Sequence, residues 1–266
     1  MKIDKVNLVY FSPTNTTKKI LEGISQGIQA ESVEHFDLTL PEAEKRAAAS
    51  FGSELTIFGI PVYGGRVPLT ALNRLQRFKG QDTPAVLVAV YGNREFEDAL
   101  LELKDVAVAA GFKPLAGGAF IGEHSFSKEN LPIAEGRPDK EDADVTAAFG
   151  KQIADKMNGI SDGSAISIIE VPGNSPYKER GPSGPISPRT QDDVCTQCGT
   201  CAEVCPTGAI TVADTVVTDA DKCILCCACV KSCPSEARVM DNPNIEKVAK
   251  WLNSNFSQRK EPSIFI

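Results

Sequence analysis

The first 194 residues of this 266-residue chain contain no cysteine, and the whole chain has only two histidines and one tryptophan. A disulfide framework spread over loops is therefore excluded for most of its length. No stretch approaches the roughly 20 apolar residues that span a bilayer, so no membrane partner is expected. Positive charge is also short. Lys and Arg number 28 against 35 Asp and Glu, a net charge of −7, which argues against nucleic acid as a partner because phosphate binding needs clustered cations. The opening run MKIDKVNLVYF lacks the longer apolar region and small-residue cleavage site of a secretory signal, and a cytoplasmic location is expected.

What the first part lacks, a short later segment concentrates. All nine cysteines fall between Cys195 and Cys233. Before them, strand-like runs at 5–11, 33–38, 55–61, 85–91 and 115–122 alternate with amphipathic stretches. Helices are expected to start near Asn15, Pro68, Glu95 and Asp142, with a weaker one near Pro41. Strands alternating with helices predict βαβ units and a mostly parallel sheet. The run AVLVAVYG is apolar on both faces, as a central parallel strand requires. The expected fold is α/β, a doubly wound parallel five-stranded sheet, followed by a small α+β cysteine module. We expect a first domain over 1–160 and a Pro-, Gly- and Ser-rich linker over 161–190. The cysteine module is expected over 191–242, with a C-terminal helix and tail over 243–266. Spacing in the tail (Ile245, Val248, Trp251, Leu252) predicts the helix, and the apolar side chains of KEPSIFI suggest a docked end.

The cysteine module repeats one motif. Cys195-x2-Cys198-x2-Cys201-x3-Cys205-Pro206 is followed by Cys223-x2-Cys226-x2-Cys229-x3-Cys233-Pro234. A 4Fe–4S cube needs four thiolates in a tetrahedral arrangement; three come from one tight loop and the fourth from elsewhere. In this spacing the fourth cysteine of each motif serves the other cluster. Cys195, Cys198, Cys201 and Cys233 therefore form one set, and Cys205, Cys223, Cys226 and Cys229 the other. Zinc sites would show C-x2-C pairs with longer gaps between them. Apolar neighbours such as Val204, Ile210, Ile224 and Val230 would shield the cubes. Cys227 stands outside the spacing, as a compact buried filler or as a redox-sensing or alternate ligand. The module resembles the clostridial-type two-cluster ferredoxins over about 192–240, and the resemblance implies low potentials and one-electron transfer by each of two clusters.

The first strand ends in Ser12-Pro13-Thr14-Asn15-Thr16-Thr17 and then a helix. Hydroxyls gathered at a helix N-terminus fit either a phosphate site or a cap alone. The loop lacks a P-loop Gly-Lys-Ser/Thr and a G-x-G-x-x-G, so a monophosphate fits better than a triphosphate or dinucleotide. Two further loops lie where strands should end: Pro61-Val62-Tyr63-Gly64-Gly65-Arg66 and Tyr91-Gly92-Asn93-Arg94. Ligands of doubly wound sheets sit at that edge. Each loop offers an aromatic ring, a glycine and an arginine, and the three loops together predict FMN. Arg66 and Arg94 fit either a role near a reduced flavin or a surface position. His124 fits loop hydrogen bonding or an approach to the flavin.

On these residues the first domain resembles flavodoxin, and the whole chain resembles the fused flavodoxin–ferredoxin proteins of anaerobic metabolism. Loop 12–17 is similar to the flavodoxin pattern S/T-x-T-G-x-T, with Asn15 in the glycine position. The resemblance implies phosphate binding by Ser12, Thr14, Asn15, Thr16 and Thr17, with Tyr63, Gly64, Gly65, Tyr91, Gly92 and Asn93 bordering the ring. The expected function is electron transfer between two 4Fe–4S clusters and FMN, with redox proteins as donor and acceptor. The alternative is a flavin-dependent oxidoreductase of a small organic substrate, for which His124, Glu123 and Tyr91 are the candidate groups.

Overall fold

Five strand-like runs become five parallel strands: β1 (Lys5–Tyr10), β2 (Ser32–Asp37), β3 (Leu55–Pro61), β4 (Thr83–Tyr91) and β5 (Phe112–Ile121). The computed structural model describes residues 2–181 and 184–266. The strand order is β2-β1-β3-β4-β5, with the switch between β1 and β3. That is the flavodoxin-like doubly wound order. All nine residues of β4 are buried, because both sheet faces are covered. Alternation then splits the strand between two cores. Leu87, Ala89 and Tyr91 enter one, and Val86, Val88 and Val90 the other.

Helices α1 (Thr16–Ile28) and α4 (Lys140–Asn158) cover the second face, through Ile20, Ile24, Phe149 and Ile153. They cross at very short range. A Cβ on Gly27 would stand 2.0 Å from the Ala147 carbonyl oxygen, and one on Gly150 2.1 Å from that of Ile24. Helices α2 (Leu69–Leu75) and α3 (Ala99–Ala109) close the first face. The third helix begins four residues later than Glu95, because Glu97 takes a left-handed φ of 44° that no helix accommodates. Near Pro41 the expected weak helix is a short 3₁₀ segment, Pro41–Lys45.

The tail corrects the strand count. Helix α5 (Pro243–Asn255) packs Ala249 and Leu252 against Ile133. Beyond it, β6 (Ser263–Phe265) pairs antiparallel with β5, so the sheet has six strands and not five. Ile264 lies opposite Gly118 and Phe265 opposite Gly117. A three-residue strand is shorter than any run that alternation can reveal.

Residues 189–239 form a smaller unit. Arg189–Thr190 pairs antiparallel with Arg238–Val239, and Ile210–Val212 with Val216–Thr218. Each half carries a single helical turn, Thr200–Glu203 or Ala228–Lys231, entered through a left-handed residue. That residue is Gly199 in the first half and Cys227 in the second, with φ of 85° and 55°.

The connecting segment is tied down at several points between residues 166 and 178. Ile166 and Ile169 are buried, and Ile169 donates its N–H to the Pro114 carbonyl at 2.9 Å. Asp98 accepts from the backbone and side chain of Asn174 and from the Lys178 N–H. Despite desolvation, these donors hold the Asp98 carboxyl below its ordinary range. Arg74, 2% exposed, joins the two units: its guanidinium donates to the carbonyls of Leu38, Thr39 and Pro206.

Candidate functional site

Two compartments in the small unit are each ringed by four cysteines. One is lined by Cys195, Cys198, Cys201 and Cys233, together with Val216 and Arg238. The other is lined by Cys205, Cys223, Cys226 and Cys229, with Ile210, Ile224 and Cys227. The chain thus brings three cysteines of one motif to the fourth of the other. All nine thiols are free. They surround spaces, not points: among the described residues no three His, Cys, Asp or Glu side chains converge on a single metal ion. Desolvation pushes the Cys226 thiol up to about 12 and Cys223 and Cys229 in the same direction. Such thiols gain most when an iron replaces the proton. The donor set fits a cube with four separate iron corners.

A third cavity, of about 240 Å³, opens at the carboxyl edge of the sheet. Thr14 and Thr16 line it from the β1–α1 turn, Pro61, Val62, Tyr63 and Gly64 from the end of β3, and Val90, Tyr91 and Gly92 from the end of β4. The loop after β5 supplies Gly122, Glu123, His124, Ser125 and Phe126. Ile224 and Leu225 of the cysteine module complete the wall. Ile224 therefore lines both this cavity and the neighbouring cysteine compartment.

Local backbone explains the shape. Asn15 has φ 62°, the left-handed conformation that a tight strand-to-helix turn needs. The Thr14 and Thr16 hydroxyls stand 3.4 Å apart beside the α1 N-terminus. Gly64, also left-handed at φ 61°, has nothing within 4 Å of its missing Cβ, so its backbone lies open to the cavity. Gly92 is needed for a different reason: a Cβ there would stand 2.2 Å from Cδ2 of His124.

His124 accepts from the Phe126 N–H at Nδ1, 3.0 Å away, so its ring proton resides on Nε2. Burial, with the Lys231 and Arg94 charges nearby, lowers its pKa to about 4. The ring is neutral at pH 7. Tyr63 is pushed well above its ordinary value by desolvation and by the Cys226, Cys227 and Cys223 thiols, which places it beside the second cysteine set. Desolvation and Glu95 push Tyr91 up to about 12. Lys231 crosses between the units, pairing with Glu123 and donating to the Ser127 carbonyl at 2.9 Å.

Other residues singled out in the sequence lie outside the cavity wall. Ser12 accepts from the Lys18 N–H at 3.0 Å and caps the turn. Thr17 is fully buried beneath it, its hydroxyl without a hydrogen-bond partner among the described residues. Gly65 abuts Glu97. Arg66 is bound to Glu102, in an ion pair shared with Arg180, and lies over Tyr177. Arg94 pairs with Glu97. The Asn93 amide donates to the carbonyls of Phe256 and Gln258 and so holds the tail. Val90, Gly122, Ser125, Phe126 and Leu225 line the cavity without having been assigned to a site from the sequence. The strand-end rule could have found Ser125 and Phe126, since they lie in the loop after β5 as Gly92 lies in the loop after β4; nothing in the sequence pointed to Leu225.

Residues 189–211 and 216–239 match the family described as 4Fe-4S binding domain. No curated protein matches the chain. Among solved structures it is similar to a flavodoxin from the domain Archaea, with 16% identity over 58% of this chain and 99% of that one and a TM-score of 0.39. It is similar to the Streptococcus pneumoniae TIGR4 flavodoxin, with 16% identity over 57% and 99% and a TM-score of 0.41. It is also similar to rubredoxin oxygen:oxidoreductase from the anaerobe Desulfovibrio gigas, with 15% identity over 59% of this chain and 36% of that one and a TM-score of 0.43. By its strand order and its matched motifs, the chain joins a flavodoxin-like domain to a ferredoxin-type 4Fe–4S domain. No helix among the described residues is long and apolar enough to cross a membrane.

Proposed function

We propose that the protein passes electrons between redox partner proteins by way of two 4Fe–4S clusters and one FMN. The observation that supports this reading most is that Ile224 lines both a four-cysteine compartment and the sheet-edge cavity, so the two are neighbours. Clusters supply one-electron transfer and the flavin couples single electrons to pairs. The chain's own part is placement. Cys195, Cys198, Cys201 and Cys233 hold the outer cluster; Cys205, Cys223, Cys226 and Cys229 hold the inner one. Thr14, Thr16 and the α1 N-terminus receive the FMN phosphate. Tyr63, Gly64, Tyr91 and Gly92 border the ring, and Ile224 with Leu225 excludes water between the two cofactors. The domain limits 1–160, 161–190, 191–242 and 243–266 belong to the same proposal. The net charge of −7 suits docking to basic patches on partners.

Anaerobically purified protein is expected to hold about eight iron, following the two-motif spacing, and one FMN. Four iron or fewer in fully loaded protein would sink the two-cluster assignment. Stopped-flow mixing with a reduced partner should bleach the clusters first and the flavin second. Tyr63→Ala with Tyr91→Ala should release FMN; unchanged retention would remove both from the site. A second reading has one observation in its favour: neutral His124 faces the same cavity with Nε2–H to donate. Fast turnover of an organic acceptor by the protein alone would favour an oxidoreductase.

A further inference from the structure

The internal duplication of the cysteine module is broken at one buried position. After Cys205-Pro206 the first copy continues Thr207-Gly208-Ala209-Ile210; after Cys233-Pro234 the second continues Ser235-Glu236-Ala237-Arg238. Ile210 packs in an apolar cluster with Cys201, Cys205 and Cys229. Its counterpart places a guanidinium at 2% exposure. A buried cation is costly unless it meets an anion.

No carboxylate among the described residues meets this one. Arg238 donates to the Thr190 hydroxyl at 2.7 Å, the Thr218 hydroxyl at 2.7 Å, the Pro188 carbonyl at 3.0 Å and Cys229 Sγ at 3.8 Å. Its Nε has no hydrogen-bond partner among the described residues. Every oxygen it reaches is neutral. The residue nonetheless lines the outer cysteine compartment while bonding to Cys229, a member of the inner set. The anions missing from its surroundings are those the two compartments would hold. A cube with four thiolate ligands is negative and becomes more so on reduction.

We infer that Arg238 is the shared internal counter-charge of both cluster sites. It raises their reduction potentials, and that of the inner cluster most, through its hydrogen bond to the Cys229 sulfur. Net charge and hydrogen bonds to sulfur are the protein's main levers on such potentials. Each cluster takes up one electron and no bond is formed or broken; the guanidinium favours the state with the extra negative charge. The consequence is directional. An electron on the outer cluster is drawn toward the cluster beside Ile224 and the sheet-edge cavity. This inference rests on the two-cluster reading.

The test is an anaerobic redox titration of full-length protein, followed by electron paramagnetic resonance, on wild type, R238M and R238K. Iron is counted first. Four iron or fewer in fully loaded wild type overturns the two-cluster reading itself. With eight iron present, R238M is expected to lower at least one cluster midpoint by about 59 mV or more, a tenfold change in a one-electron equilibrium. R238K, which keeps the charge, should recover most of that shift. Unchanged midpoints in fully loaded R238M would overturn the inference. If R238M loses iron, R238Q is read in its place. Iron loss from both would make Arg238 a folding residue and overturn the inference equally.

Discussion

His124 shows how one loop residue takes its properties from its neighbours. The Phe126 N–H fixes its tautomer, and Gly92 leaves the space its ring fills. Its folded pKa of about 4 lies below its unfolded value of 6.5. The unfolded chain therefore binds the proton more readily, and the contribution to stability is full above about pH 6.5 and is lost as pH falls toward 4. The whole effect is at most about 3 kcal/mol. Urea titrations at pH 7, 6 and 5 should show wild type losing more stability than His124→Asn; equal losses would mean that the ring titrates normally. The sequence made the loop visible, since 122–127 follows a strand, but it left the role of His124 open between backbone bonding and the ligand. The deciding contacts are a backbone N–H two residues on and a glycine in the loop after β4. The arginines show the converse. Arg66 and Arg94 sit in loops that promise a ligand, yet Glu102 and Glu97 claim them first. Those partners lie on or just before α3, and no local pattern announces them.

At the scale of elements, periodicity gave the five parallel strands with ends within three residues of those observed. A buried parallel strand carries its whole signal locally, in an apolar run. What it does not carry is distance between elements. The close crossing of α1 and α4 depends on Gly27 and Gly150, each set against a backbone carbonyl of the other helix. A carbonyl cannot rotate away as a side chain can. Gly150→Ala should therefore force the helices apart and cost about 1–3 kcal/mol, read as a lower urea midpoint with an unchanged slope. A neutral result would show that the helices can separate freely. The added β6 belongs to the same lesson. Its three residues are too few to show a period, and their place is set by backbone pairing with β5, Ile264 opposite Gly118 and Phe265 opposite Gly117.

At the scale of the molecule, the cysteine spacing fixed each thiol set, and both compartments contain the set that the motif assigns. The docking of one domain on the other was not legible. It depends on Arg74 reaching the Pro206 carbonyl and Lys231 reaching Glu123, contacts between residues more than 100 positions apart. Arg74→Met would leave the buried carbonyls of Leu38, Thr39 and Pro206 without their donor. It should cost about 2–4 kcal/mol, since each unsatisfied buried group costs about 1–3. It should also slow the flavin phase in stopped-flow reduction more than the cluster phase. Equal slowing of both would place Arg74 outside the interdomain path.

The pairing of β6 with β5 changes what kind of object the cysteine module is. A module attached by one linker hangs like a tassel and samples a wide volume. Here the chain leaves the sheet after α4, builds the module, and returns to the same sheet at residues 263–265. The module is an insertion held at two points, like a handle. Cutting one attachment does not free it. Protease nicking between residues 161 and 190 should yield two fragments that stay together in native gel filtration, with the cofactor ratio intact. Fragments that separate would show that β6 contributes too little to close the handle.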